Sequence, residues 1–323
     1  NPKKKCDSMK DTVICILLFF IFGVLMGMPA LICHYLHALR VLKAYVQSGK
    51  APVDQDAFLW GAQGPDFLYT SFTLPKERNL SLRNTGLLMH KENPLPLFHS
   101  INEYTIQHPD DLAARSYWLG FLCHYSLDRT CHPFIHAQIE EFRSHYPGAK
   151  DSFLHAKIET SLDVILLRYE SEMLPTEFNL KKAYPNNPLV KQSIASLYVY
   201  VLQNVYQLKY SEKEIIRVER DCRFVTALQN DRTGLKTQFF NYLERKRGKY
   251  LLSCFLRGVM EDDDFDFANI LSSPWRDPTN SSREHTESFF ELFESAIDES
   301  VTFLKRIDQN TDLAELFGNN PFL

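Results

Sequence analysis

The chain has 323 residues, 45% of them apolar and 13% aromatic, enough to bury a large core and too apolar for extensive disorder. Its formal net charge is −4 with no long basic run, so the charge balance lends no support to nucleic-acid binding. Glycine is scarce, at 12 residues, and β-branched alternation is hard to find, which leaves the helix as the dominant element.

The first stretch is the most ambiguous. Residues 13–33, VICILLFFIFGVLMGMPALIC, carry no charge and follow Lys3, Lys4, Lys5 and Lys10. They fit a signal peptide, although no small-residue cleavage site stands out near Gly27. They are also just long enough for a membrane anchor, or an in-frame extension upstream of a true start at Met28. Residues 1–27 are therefore set apart as a hydrophobic extension, and 28–323 read as one multi-helix domain.

Helical periodicity then predicts a helix over 30–48, ended by Gly49, and a short one over 54–60, broken at GAQGPD by Gly61, Gly64 and Pro65. Residues 70–85 read as loop and 95–107 as helix. The next helix opens with Pro109 at its first position and runs to about Cys131, because Pro133 disfavours the α conformation at His132. Residues 151–170 form a strong amphipathic helix. Helices also fit 187–209, 211–229 (with Ser211 and Glu214 as a capping box), 232–246 and 286–307. The acidic connector 260–267 lacks the spacing and glycine of a Ca²⁺-binding EF-hand loop.

Seven cysteines form no CxxC pair, and five remain beyond the N-terminal stretch, which favours reduced, buried thiols over a disulfide framework. Cys123 and Cys131 each sit ~100° round the helix from a neighbouring polar residue and read as packing groups.

The polar residues on apolar helices are more telling. In GFLCHYSLDRTCHPFIH (120–136), His124, Asp128 and His132 recur every fourth residue, and steps of four drift by only ~40°, so all three lean toward one point. Buried polar groups need partners. His155 and Glu159 form a second pair four apart, and His34, Asp66 and His90 lie beside apolar segments. Imidazole and carboxylate donors of this kind suit Zn²⁺, and eight are enough for more than one ion.

The order H…GAQGPD…H…HYSLDRTCHP…H-x3-E resembles the bacterial zinc-dependent phospholipase C family, in particular its Firmicutes branch, within a fold group that includes the S1/P1 nucleases. The resemblance implies an all-α fold and two to three Zn²⁺ ions. It places Asp66, His90, His124 and Asp128 around one zinc, and His132, His155 and Glu159 around a second. By the same resemblance Asp128 would bridge to a third, bound also by His34 and by the amine and carbonyl of the mature N-terminal residue. The family supplies that amine from a tryptophan; a trimmed start at Met28 would supply it from Pro29. Asp66 is the implied general base.

The resemblance also implies hydrolysis of the glycerol-side phosphate ester of a phospholipid by a zinc-activated water, with transient contact at a membrane surface. Trp60, Phe67 and Tyr69 could meet a cationic headgroup, although core packing is the plainer reading. An S1/P1-like nuclease is the alternative, weakened by the lack of basic clustering, and a non-catalytic zinc-stabilised interaction protein is a further one. His37, His99, His108, His136, His145 and His285 read as structural or surface residues, His136 because Pro133 breaks the stripe before it. A start at Met28 and the odd thiol count point to the cytoplasm; a processed or retained leader points to secretion or membrane tethering.

Overall fold

The computed structural model describes residues 30–49, 52–258 and 265–322. The extension 1–27, Pro29 and most of the acidic connector lie outside the described residues. In chain order the helices are α1 (Leu31–Gln47), α2 (Gln55–Gly61), α3 (Lys76–Lys91), α4 (Leu95–Gln107), α5 (Leu112–Phe142) and α6 (Asp151–Ser171). They continue as α7 (Pro188–Asn204), α8 (Glu212–Gln229), α9 (Leu235–Arg247), α10 (Phe289–Asp308) and α11 (Leu313–Phe317). The fold is all-α. Its one sheet among the described residues is a hairpin of β1 (Trp275–Asp277) and β2 (Asn280–His285).

The spine is α5. The Asp111 carboxylate accepts from the Ala114 N–H, satisfying one of the donors that a helix start leaves open. Pro109 thus lies in the preceding turn rather than at the first helical position. Every residue from Ser116 to Asp128 is buried, as expected of a helix enclosed on all sides. Nor does the helix stop near Cys131: it runs through Pro133 to Phe142. The ring deprives the Arg129 carbonyl of its partner, a defect of roughly 3 kcal/mol. Burial of Phe134, Ile135, Gln138, Ile139 and Phe142 beyond it keeps the helix going, and the hairpin packs there, with Phe134 and Trp275 ring centroids 5.4 Å apart.

Two glycines set how closely α2 crosses α5. A Cβ on Gly61 would stand 2.1 Å from the Tyr117 carbonyl oxygen, and one on Gly120 would stand 2.1 Å from that of Phe58. Gly61 therefore serves contact rather than helix breaking.

The segment 70–85, expected as loop, holds most of α3 instead. Its buried face is Leu82, Thr85, Gly86, Met89 and His90, a helical spacing in which three of the five members are not apolar side chains. Ser211 and Glu214 form the expected capping box, and Ser288 and Glu291 make a second at the start of α10. The five described cysteines are free and buried. No helix among the described residues is long and apolar enough to cross a membrane.

Candidate metal centre

Four helices and one turn deliver the polar residues to a common point. His34 comes from the first turn of α1, whose cap residue Ala30 offers no side-chain acceptor. The acceptor comes from α6: Asp163 Oδ1 takes the Cys33 N–H at 2.7 Å, while Arg257 Nε and Nη2 hold Oδ2 at 2.8 and 2.5 Å. Asp66 opens the 3-10 turn Asp66–Thr70, just after Gly64. With φ of +54°, Gly64 sits in the left-handed region, and a Cβ there would lie 2.1 Å from the His124 ring. Backbone and packing both require glycine.

His90 ends α3, its Nδ1 2.7 Å from the Gly86 carbonyl. A carbonyl only accepts, so Nδ1 carries the proton, and Nε2 turns to the cluster. His132 is held similarly, Nδ1 lying 3.4 Å from the Phe322 carbonyl. Such contacts fix imidazole orientation in metal sites.

The donor atoms converge as three groups. In the first, His90 Nε2 lies 3.2 Å from Asp66 Oδ1 and 3.3 Å from His124 Nε2. Asp128 Oδ2 lies 3.3 Å from His124 Nε2 and 3.8 Å from His90 Nε2. In the second, Glu159 Oε1 lies 3.4 Å from His132 Nε2 and 3.2 Å from His155 Nε2. The third joins His34 and His124 to Asp128, whose other oxygen, Oδ1, is 3.1 Å from His34 Nε2. Asp128 thus faces two groups with its two oxygens. Within each of the sets Asp66–His90–His124, His34–His124–Asp128 and His132–His155–Glu159 the ligand atoms lie within 4.8 Å of one another.

This donor set fits zinc. Donors 2.0–2.1 Å from a tetrahedral ion stand about 3.3–3.4 Å apart, the spacing seen here. His90 Nε2 and His124 Nε2 also meet at 3.3 Å, a contact that either a bound cation or a proton on the His124 nitrogen would satisfy. The Nδ1 atoms of His34 and His124 are buried with no partner, a cost borne to aim Nε2 inward.

Electrostatics follow from crowding. Burial alone would lift the Asp128 carboxyl, but His124, His132 and the His34 contact hold it well below the usual carboxylate range. Burial also acts against Glu159, and His155 and His132 still bring it down to about 2. His132 is disfavoured by burial yet pushed up to about 9 by Asp128 and Glu159. His124, dominated by burial, falls to about 4. Asp128 and Glu159 therefore stay charged, and imidazole protons are the ones that compete with a metal.

Of the aromatic residues beside the site, Trp60 and Phe67 are fully buried and unable to meet a headgroup. The Trp60 indole instead donates to the Pro185 carbonyl at 2.8 Å. Tyr69 alone remains beside the site, its hydroxyl 3.2 Å from His90 Nδ1. His136 also departs from expectation. Because α5 continues past Pro133, its ring lies 5.9 Å from that of His132 and 5.1 Å from that of His155. Phe322 was invisible to sequence patterning: its N–H donates to the His90 carbonyl at 3.1 Å, and its ring centroid lies 5.3 Å from His90 and 5.8 Å from His124. No motif marks a phenylalanine nearly two hundred residues after His132.

No curated protein and no solved structure gives a significant match to the chain. A family model described as zinc dependent phospholipase C does match, over residues 33–208, a span that holds every described member of the three donor groups. With more than half of its length matched, the chain belongs to the zinc-dependent phospholipase C family.

Proposed function

We propose that the protein is a zinc-dependent phosphodiesterase of the phospholipase C type, cleaving a phospholipid on the glycerol side of its phosphate. The observation that carries this reading is Asp128, whose two oxygens face separate donor groups, His34 on one side and His90 with His124 on the other. Asp66, His90, His124 and Asp128 hold one zinc in this reading, and His132, His155 and Glu159 a second. His34 and Asp128 contribute to a third, for which the N-terminal amine of Pro29 is the remaining donor proposed. When bound, zinc draws charge from phosphate oxygens and lowers the pKa of water toward neutrality.

The chain's own residues supply the rest. Asp66 has the most accessible carboxylate of the three, its side chain 19% exposed against 8% for Asp128 and 7% for Glu159. In this reading it takes a proton from the attacking water. The water oxygen bonds to phosphorus, the bond from phosphorus to the glycerol oxygen breaks, and that oxygen takes up a proton as diacylglycerol leaves. The headgroup departs as its phosphate monoester. The His155 side chain, 22% exposed, marks the open side of the second group.

The test is product identity. Zinc-loaded protein given phospholipid in detergent micelles should release diacylglycerol and a phosphorylated headgroup. Release of phosphatidic acid with a free headgroup, or hydrolysis of oligonucleotides but not phospholipid, would contradict the proposal.

A further inference from the structure

The outward faces of α8 and α9 carry a feature that the metal centre does not use. Along α8 the exposed stripe at steps of three and four reads Arg217, Arg220, Phe224 and Leu228. Along α9 it reads Leu235, Phe239, Tyr242 and Lys246, with Leu235 and Tyr242 64% and Phe239 58% exposed. Only Thr237 and Glu244 of α9 are buried. An ordinary surface helix turns its apolar stripe to the core; this one turns it to solvent.

Charge sorts in the same direction. Between Glu212 and Lys249 stand ten lysines and arginines against six carboxylates, and four of those, Glu219, Asp221, Asp231 and Glu244, are buried. A fifth, Glu214, is paired with Arg78 at 2.5 Å. Arg245, Lys246, Arg247 and Lys249 are all exposed. The surface is thus basic and apolar together, on a chain whose formal net charge is −4.

It is also tied to the metal centre. Lys236 Nζ donates to the Leu228 and Asn230 carbonyls at 3.0 and 2.9 Å, joining α9 to the end of α8. From α8, Asp221 Oδ2 accepts from the Thr73 N–H at 2.8 Å and the Thr73 hydroxyl at 2.7 Å. Phe224 meets Phe72 with ring centroids 6.0 Å apart. Thr73 lies three residues beyond the turn that carries Asp66.

We propose that this face docks on an anionic phospholipid surface. Its phenylalanine, tyrosine and leucine side chains enter the headgroup boundary, and the flanking arginines and lysines meet lipid phosphates. Charge decides the occupant: two copies of so basic a face repel each other in a symmetric dimer. Leu228 and Leu235 add aliphatic area among the aromatics, which suits acyl chains better than nucleic-acid bases. The proposal draws on the phospholipid reading of the metal centre for its purpose, but its test needs no turnover.

The experiment is co-sedimentation of the zinc-loaded full chain with vesicles of phosphatidylcholine and phosphatidylglycerol in equal parts. The wild type is compared with Phe239→Ala/Tyr242→Ala and with Lys246→Ala/Arg247→Ala. The apolar segment 13–33 is common to all three chains and cancels in the comparison. Partition should fall about fivefold per charge removed and at least about tenfold for the aromatic pair. Substituting exposed side chains leaves folding intact, checked by unchanged zinc content and circular dichroism. Variants that partition like the wild type would overturn the docking. So would tighter binding of a single-stranded oligonucleotide to the same face, or self-association abolished by the aromatic substitutions. A wild type that partitions in this variant-sensitive way yet releases no diacylglycerol would overturn the functional reading alone.

Discussion

Gly64 shows how little room the metal centre leaves. Alanine at this position must hold a left-handed backbone, at about 1–2 kcal/mol, and also push its Cβ into the His124 ring. Gly64→Ala should therefore lower stability in chemical denaturation and reduce bound zinc, whereas a surface glycine in open space such as Gly148 should affect only stability. Away from the site, Glu219 is fully buried with both carboxylate oxygens unpartnered, and burial pushes its pKa well up, with Lys191 only partly offsetting it. The folded state then holds this proton at pH values where the unfolded chain has lost it. Stability contributed by Glu219 therefore falls as pH rises from the unfolded value through the folded one. Glu219→Gln should flatten that slope and stabilise the protein at neutral pH, as urea titrations at mildly acid and neutral pH will show. Several of the residues that the structure brings together were legible one by one in the sequence. His124, Asp128, His132, His155 and Glu159 announce themselves by four-residue spacing, a property of one helix face that needs no tertiary information. Phe322 and Asp163 could not, because each acts across more than a hundred residues through a contact that only the fold creates.

At the scale of elements, α3 and α5 were misjudged for opposite reasons. The face of α3 is built from Thr85, Gly86 and His90 beside Leu82 and Met89, and a search for apolar periodicity passes over it. Gly86 is there because the Tyr69 ring lies 3.3 Å from where its Cβ would be. In α5, Pro133 obeys its local preference in most settings, but here packing on both sides of the break outweighs it, and His136 is carried to the second donor group as a result. The start of α1 depends on a neighbour in the same way. Asp163→Ala would free the Cys33 N–H and leave Arg257 without the carboxylate that holds it, both groups being buried. Breaking such a pair costs about 3–5 kcal/mol. Thermal unfolding should register that loss, and zinc analysis should show weaker retention by the group containing His34, while the His132, His155 and Glu159 group keeps its ion.

For the whole molecule, a zinc ion held by these donor groups would be part of the fold. Three carboxylates and five imidazoles drawn from α1, α3, α5, α6 and the Asp66 turn meet in one region, so an ion that binds there ties these elements together. An ion present at a thousandfold its dissociation constant adds about 4 kcal/mol to stability. Chelation should accordingly lower the melting temperature, and added zinc should restore it. The all-helical character and the donor spacing were legible in the chain; the packing that turns spacing into a cluster was not. The measurement that bears most directly on the account is zinc content by elemental analysis of the purified protein, beside His132→Ala and His90→Ala. At least two zinc ions per chain are expected, with each substitution removing one and sparing the other. One zinc or none in the wild type, or loss of all metal from either variant while the protein stays folded, would contradict it.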